Sequence, residues 1–344
     1  MQFPELPACR ECWYVAAPSN ALKKGAMESF TFLGEQVIIG RDDNGAVFAL
    51  RDFCPHRGIP LRYGSFDGCE VKCCYHGWTF DTKGTCTSIP ALPTGDTTDV
   101  SKIKAKSYQL HERDGVIWIY MGSGEAGEPP ALPHSIALKH VDSVTFPCDI
   151  DHAVIGLMDP SHGSFVHQSW WWRSSKSIHD KAKDFEPVDH GFRMKSHKPS
   201  SNSRAYKILG HADRTTEIAF RLPGLRTEHI TIGNKHILLL TALTPIDEKT
   251  TILHQFMGTD IGALNLLKPL LVPFGKAFIQ QDLDIVKKQQ EGLSQANTPT
   301  LMLLGDADAQ AIWYYRLKKE YHAAQSEGRA FENPLKARTL KWRS

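Results

Sequence analysis

The 344-residue sequence lacks the features that identify several common protein classes. Its eight cysteines are too few for a disulfide-stabilised scaffold. Lys and Arg total 40 against 38 Asp and Glu, and this formal net charge of +2 provides no strong positive field for nucleic acid. The sequence contains no internal repeat, no low-complexity segment and no glycine-rich nucleotide-binding loop. We therefore expect a globular protein that binds no nucleic acid.

Long apolar runs are absent as well. The most apolar stretch, residues 264–279, is interrupted by two lysines and two prolines. A membrane-spanning helix needs about 20 mostly apolar residues, so this stretch predicts an interior helix, or a loop followed by a helix. The first five residues have neither the basic start nor the apolar run of a secretory signal. The expectation is a cytoplasmic protein without a membrane partner.

The length suggests about two domains. Short β-rich runs joined by turns fill the first part, and the Gly- and Pro-rich segment 122–133 is the best boundary. The second part predicts a helix over 153–167, four strands between 217 and 258, and closing helices over 274–292 and 306–324. We expect an α+β protein with an all-β domain over 1–125 and a mixed domain over 126–344.

Two short segments of the first part each offer one thiolate and one imidazole. Cys54 and His56 lie in the first, Cys73 and His76 in the second. A Rieske [2Fe–2S] cluster requires this set of ligands, since two Cys bind one iron and two His bind the other. A Cys₂His₂ zinc site is the alternative. Zinc fingers usually pair Cys with Cys, however, and the glycine close behind each histidine here suits backbone passing tightly around an inorganic core.

A second candidate metal site lies at 159–167. Asp159 and His162 are three residues apart and share a helix face, but His162 and His167 are about 140° apart on a regular helix. Two His and one carboxylate form the ligand set of non-haem Fe(II) oxygenases. Both His can face one metal only if the helix is broken, which Gly163 permits. In the alternative, Asp159 caps a helix that begins at Pro160, and the histidines have no special role.

A distant carboxylate should complete that ligand set, and two candidates are close together. On a helix, Asp282 shares an apolar stripe with Phe278 and Val286, whereas Asp284 lies among glutamines and lysines. A lone carboxylate on an apolar stripe is unfavourable unless a charged partner or a metal binds it. Periodicity therefore favours Asp282, and a helix phase shifted by one residue would favour Asp284.

The motifs Cys54-Pro-His56-Arg-Gly and Cys73-Cys-Tyr-His76-Gly-Trp, with Asp-x-x-His-x-x-x-x-His downstream, resemble those of the ring-hydroxylating oxygenase α subunits. The resemblance is to Rieske non-haem iron oxygenases of the phthalate dioxygenase and vanillate O-demethylase type. It implies a Rieske β domain followed by a helix-grip catalytic domain with an antiparallel sheet. It also implies a [2Fe–2S] cluster and a mononuclear Fe(II). The ligands of the cluster would be Cys54, His56, Cys73 and His76. The ligands of the iron would be His162, His167 and Asp282.

The resemblance further implies partners and a reaction. Electrons from NAD(P)H would arrive through a separate reductase or ferredoxin. Asp159 would hydrogen-bond His76 of a neighbouring subunit in a homotrimer, because the two metals of one subunit are too far apart for efficient transfer. With O₂, the enzyme would hydroxylate, O- or N-demethylate, or cis-dihydroxylate a small aromatic or alicyclic substrate. An Asn that the family often carries before this Asp is absent, since Ile155 and Gly156 stand there.

Four residues are candidates for substrate contact. Phe278, one turn before Asp282, would form a wall of the pocket, and Gly156 and Gly163 would leave room for a bulky substrate. His254 could reach the substrate from a strand, with a buried core histidine as the alternative. For the adjacent Trp170, Trp171 and Trp172, core packing is the main expectation.

Two other functions remain open. The chain could be a Rieske electron carrier whose second domain holds an apolar ligand without oxygenase activity. It could also be a structural protein stabilised by zinc, which would be colourless.

Overall fold

The computed structural model describes residues 6–133, 136–167, 178–198, 213–296 and 302–344, and does not describe the side chains of residues 268, 269 and 271. Trp170, Trp171 and Trp172 lie outside the described residues. The contacts divide the chain into two compact units. One comprises residues 10–131, and the other comprises the described parts of 1–9 and 132–344.

The unit of residues 10–131 is built from three antiparallel sheets. The first contains β1 (Trp13–Pro18), β10 (Leu110–Arg113) and β11 (Val116–Tyr120). The second contains β2 (Ala26–Phe32), β3 (Glu35–Arg41), β4 (Val47–Arg51) and β9 (Ser107–Tyr108). The third contains β5 (Ser65–Phe66), β6 (Glu70–Lys72), β7 (Thr79–Asp81) and β8 (Cys86–Ser88). The predicted all-β character of this part is confirmed.

In its described residues, the second unit is an eight-stranded antiparallel sheet with three α-helices. In spatial order the strands are β12 (Lys139–Phe146), β18 (Thr251–Thr259), β17 (Lys235–Pro245), β16 (Leu225–Ile232), β15 (Arg214–Arg221), β14 (Gly191–His197), β13 (Asp180–Val188) and β19 (Arg338–Arg343). The helices are α1 (Ile150–Met158), α2 (Gly262–Gln295) and α3 (Ala309–Glu327). This arrangement confirms the expected α+β class and the antiparallel sheet expected for the second domain.

Helices α2 and α3 lie on one face of the sheet, here called the helix-covered face. Cross-strand partners in a sheet point to the same side. Phe220, Arg226, Thr241, Gln255 and Asp142 are successive partners across five strands. Phe220 packs on a tyrosine of α3 with ring centroids 5.8 Å apart, and Asp142 forms a 3.5 Å ion pair with a lysine of α2. Both ends of this row therefore point towards helices.

The helix predicted over 153–167 is shorter than expected. It ends at Met158, Asp159 is the residue that follows it, and a single 3₁₀ turn spans His162–Ser164. The predicted interruption of the helix is present, but the helix ends before Asp159, ahead of both histidines, and not at Gly163. The alternative in which Asp159 caps a helix starting at Pro160 is wrong, because no α-helix starts there.

The apolar stretch 264–279 is helical, as part of the 34-residue helix α2. The expectation of an interior position is wrong for Leu266 and Leu270, which are 83% and 66% exposed. The reason is that apolar residues occur around the whole circumference of this part of α2, so one face cannot bury them all. Among the described residues, no helix combines the length and the apolar character needed to cross a membrane.

Candidate metal centres

The two Cys–His loops of the first unit share one backbone geometry. In each, the cysteine N–H donates a hydrogen bond to the backbone carbonyl of the fifth residue after it, at 2.9 Å for Cys54 and 2.8 Å for Cys73. The N–H of the fourth residue after the cysteine donates to the cysteine carbonyl, at 2.8 Å in the first loop and 3.1 Å in the second. That donor is Gly58 in one loop and Gly77 in the other, with φ of +75° and +69°. Only glycine adopts this conformation without strain, which explains the glycine behind each histidine.

These loops bring their four side chains together. Cys54 and Cys73 are buried and close enough to interact, and the rings of His56 and His76 lie 4.5 Å apart. Burial, with a contribution from Cys73, raises the pKa of the Cys54 thiol to about 11 despite two backbone N–H donors. Nδ1 of His76 is buried and has no hydrogen-bond partner. A bound metal would satisfy both features, since a metal displaces the thiol proton and accepts the imidazole lone pair.

The two donor sets differ in how their ligand atoms are grouped. A single tetrahedral ion requires its ligand atoms to converge on one point. Among the described residues, the three-residue group whose ligand atoms all lie within 4.8 Å of one another is His162, His167 and Asp282. The Cys–His set forms no such group, as expected where two irons separate the thiolates from the imidazoles.

In the second unit, His162, His167 and Asp282 converge around one point. Nε2 of His167 lies 3.2 Å from Oδ1 of Asp282, and Nε2 of His162 lies 3.8 Å from the same oxygen. His167 is fully buried, and its Nε2 has no hydrogen-bond partner. Two imidazole nitrogens and one carboxylate oxygen that face each other at these distances fit a mononuclear iron with open positions.

His167 is held by two residues of α2. Its Nδ1–H donates to Oε1 of Gln281 at 3.0 Å, which leaves the Nε2 lone pair directed at Asp282. Phe278 stacks on the His167 ring with centroids 3.4 Å apart and planes 18° apart. Phe278 therefore lies at the triad, and its role as a wall of the substrate pocket stays a prediction. Gln281 was missed, although its position next to Asp282 in the sequence was a usable signal.

Asp159 lies at the edge of the triad. Its Oδ2 is 3.7 Å from Nδ1 of His162, and its Oδ1 accepts a 2.6 Å hydrogen bond from the Ser161 N–H. Burial lowers the pKa of His162 and outweighs the opposing influence of Asp282 and Asp159. The imidazole is thus neutral near pH 7, as a metal ligand must be. Asp284 lies elsewhere and accepts a 2.9 Å hydrogen bond from the exposed Gln280.

The other candidate substrate residues differ in position. A methyl group on Gly156 would meet no atom within 4 Å, and Gly163 lies within the 3₁₀ turn next to His162. His254 is on the face of the sheet opposite the helix-covered face. Adjacent residues of a strand point to opposite faces, and its neighbour Gln255 points to the helix-covered face. Nδ1 of His254 is 2.8 Å from Oγ of Ser143, and burial lowers the pKa of His254 to about 3.

Comparison with protein families assigns both units. Residues 12–109 match the Rieske [2Fe–2S] domain, and residues 151–324 match the vanillate O-demethylase oxygenase C-terminal domain. The chain belongs to the Rieske non-haem iron oxygenase α subunits. Members of this family carry a [2Fe–2S] cluster and a mononuclear Fe(II), which agrees with the two donor sets described above.

Relatives of this Rieske oxygenase chain act on different molecules. It is 32% identical over 169 residues to chlorophyllide a oxygenase of Chlamydomonas reinhardtii, covering 48% of this chain and 25% of the relative. It is 31% identical over 140 residues to the phthalate 4,5-dioxygenase oxygenase subunit of Pseudomonas putida, covering 40% of this chain and 32% of the relative. The chain spans about a quarter to two-fifths of the curated relatives it matches.

The fold also matches a solved structure. Dicamba monooxygenase bound to dicamba superimposes with a TM-score of 0.73 at 21% identity, over 92% of this chain and 98% of the other. At that identity the match supports the Rieske oxygenase fold and says nothing of the substrate.

Proposed function

We propose that this chain is a Rieske oxygenase component that acts in the cytoplasm. It uses O₂ and electrons from a separate NAD(P)H-dependent reductase or ferredoxin to oxidise a small aromatic or alicyclic substrate by hydroxylation, demethylation or cis-dihydroxylation. The observation that carries the proposal is the convergence of His162, His167 and Asp282. An electron carrier needs only the cluster, and an apolar binding cavity needs no such triad.

Fe(II) held by His162, His167 and Asp282 would supply reductive O₂ activation, because three protein ligands leave coordination positions open. The protein's own contribution is positional. The single carboxylate of Asp282 offsets part of the metal charge, Gln281 orients the His167 ring, and Phe278 covers that ring and keeps water from it.

We also propose ligands for the cluster and a route for electrons. Cys54, His56, Cys73 and His76 would hold the [2Fe–2S] cluster within residues 1–125, and the iron would lie within 126–344. Asp159 would hydrogen-bond His76 of a neighbouring subunit in a homotrimer. The 3.7 Å approach of Asp159 to His162 supports this role, because the same carboxylate is then adjacent to an iron ligand.

Metal analysis separates the oxygenase from its rivals. The oxygenase should contain about three Fe per chain, two in the cluster and one at the triad, whereas a carrier should contain about two. A zinc protein would lack the visible absorption of the cluster. Screening substrates with a surrogate reductase under ¹⁸O₂, with detection of labelled product and of formaldehyde, should then reveal turnover. Two Fe per chain and no labelled product would exclude the proposed function.

A further inference from the structure

The segment of residues 51–63 in the first unit carries an excess of positive charge. It contains three arginines and one acidic residue, Asp52, whereas the first unit as a whole has 13 Lys and Arg against 15 Asp and Glu. The carboxylate of Asp52 is fully buried, where it pairs with Arg62. Arg51 and Arg57 are exposed and form no ion pair with a described residue. The positive charge of this segment therefore faces solvent without a compensating carboxylate.

Two aromatic side chains of the same segment are also exposed, Phe53 by 45% and Tyr63 by 63%. A guanidinium group lies over each ring. Arg51 is 5.4 Å from the centroid of Phe53, and Arg62 is 5.0 Å from the centroid of Tyr63. Aromatic and arginine side chains are enriched in protein interfaces and among the residues that contribute most to binding. Stacking holds each guanidinium in place, which reduces the entropy lost when a partner binds. This surface therefore suits a protein partner with an acidic face.

The surface borders one of the proposed cluster ligands. The ring of Phe53 lies against Gly58, since a methyl group on Gly58 would fall 2.9 Å from Cε2 of Phe53, and Gly58 closes the loop that holds His56. Arg57 is the residue next to His56. Both proposed thiolate ligands are buried, whereas His56 is only partly buried. A protein bound to this surface would therefore approach the cluster from its imidazole side.

We propose that residues 51–63 form the docking surface for the electron donor, that the donor presents an acidic face to it, and that electrons enter the cluster on the side of His56. This inference rests on the proposed function for the cluster and for the need of a donor. Under that function His76 is the exit, because it would be bonded to a neighbouring subunit. Entry and exit then use different imidazoles, so electrons can pass to the neighbouring subunit while the donor is still bound.

The test is stopped-flow reduction of the cluster in the metal-loaded, full-length protein under argon, followed by the change in its visible absorption. The donor is a reduced plant-type [2Fe–2S] ferredoxin with an acidic surface, either unmodified or with its surface carboxylates amidated. In about 0.02 M salt the unmodified ferredoxin should reduce the cluster about tenfold or more faster than the amidated form. In about 0.3 M salt most of this difference should disappear, because salt screens exposed charges.

Three variants locate the contact. In low salt Arg51→Glu and Arg57→Glu should each slow reduction by the unmodified ferredoxin by about tenfold. Tyr63→Ser should slow it in both low and high salt, because this variant removes an apolar contact. Each rate is divided by the rate with photoreduced deazariboflavin, a small neutral reductant, so that a change in cluster potential cancels. Lys24→Glu is the matched control, because Lys24 lies beside Gly45 at the start of β4 and Arg51 ends that strand.

An unmodified ferredoxin that is no faster than the amidated form, or that does not reduce the cluster, would overturn the proposal. So would equal losses in Lys24→Glu and Arg57→Glu, with melting temperatures confirming that the variants fold. Charge-dependent reduction of a protein with two Fe per chain and no ¹⁸O product would reject the oxygenase function and keep the docking surface. Turnover together with salt-independent reduction would reject only the docking surface.

Discussion

Oε1 of Gln281 lies 3.0 Å from Nδ1 of His167, on the ring edge opposite the nitrogen that faces Asp282. The amide thereby fixes the imidazole tautomer and orientation. Gln281→Leu should reduce Fe(II) affinity by about 10- to 100-fold, since this is the usual effect of removing such a supporting partner. Competition with a chelator, followed by metal analysis, measures it. Gln281→Glu should retain the metal, and Gln280→Leu, altered at the exposed neighbour, is the control. Equal affinity in all three would exclude the orienting role.

Asp282 and Asp284 differ in their distance from the histidines, and their variants should differ in iron content. Asp282→Ala should lose about one of three Fe while the visible absorption of the cluster is unchanged. Asp284→Ala removes an exposed carboxylate that is bonded to Gln280 and should keep all three. Loss of iron in Asp284→Ala alone would reverse the ligand assignment.

Asp159→Asn should keep both metals and block turnover, because the amide preserves the shape of the side chain and removes its charge. The measurement is reoxidation of the reduced cluster after mixing with O₂ and substrate, which should be slow in the variant and fast in the wild type. Unchanged coupled activity would exclude Asp159 as the electron bridge.

Lys318 is buried in the contact between α3 and α1. Its Nζ lies 2.5 Å from Oδ1 of Asp151 and donates to the Leu6 carbonyl at 2.8 Å. Lys318→Met leaves the partly exposed Asp151 carboxylate without its cation and should reduce the free energy of unfolding by about 3 kcal/mol, the low end of the range for a buried pair. Chemical denaturation measures this. Lys319→Met, at an exposed neighbour, should be nearly neutral, and adding Asp151→Leu to Lys318→Met should recover part of the loss.

Glu35 predicts a pH dependence of stability in the first unit. Burial would raise its pKa, but hydrogen bonds from Tyr108, Arg10 and Lys106 lower the pKa to about 2. A group with a lowered folded-state pKa stabilises the protein above its unfolded-state pKa of 4.5, and that stabilisation is lost as pH falls towards 2. The melting temperature of Glu35→Gln should therefore lie below that of the wild type at pH 7. The difference should shrink between pH 5 and pH 2. The exposed Glu28→Gln should show no such trend.

Much of both sites was predictable because each ligand pair is local in sequence. Cys54 with His56, and His162 with His167, became candidates because they lie close in the sequence, and the resemblance to the oxygenase α subunits proposed them as ligands. Asp282 followed from helical periodicity, which depends only on neighbouring residues. The Gln281–His167 contact joins residues 114 positions apart, and no local pattern encodes it.

Other features could be determined only from the way in which the strands pair. A register shift between His140 and Asp142 determines which residues of β12 face the helices, and His254 faces away because it pairs with Ser143 and not with Asp142. Exposure of Leu266 and Leu270 likewise depends on what α2 packs against. Hydropathy cannot reveal this, since it records the residue and not its neighbours.

The two halves of the triad are attached to the protein in different ways. Phe278, Gln281 and Asp282 share one continuous helix, so their mutual positions are fixed by its 1.5 Å rise and 100° turn per residue. His162 and His167 come from a segment that contains only one 3₁₀ turn after Met158. Adjustment to an ion of another radius, such as Co(II) or Mn(II), should therefore occur by movement of residues 159–167, while α2 acts as the fixed reference for the coordination geometry.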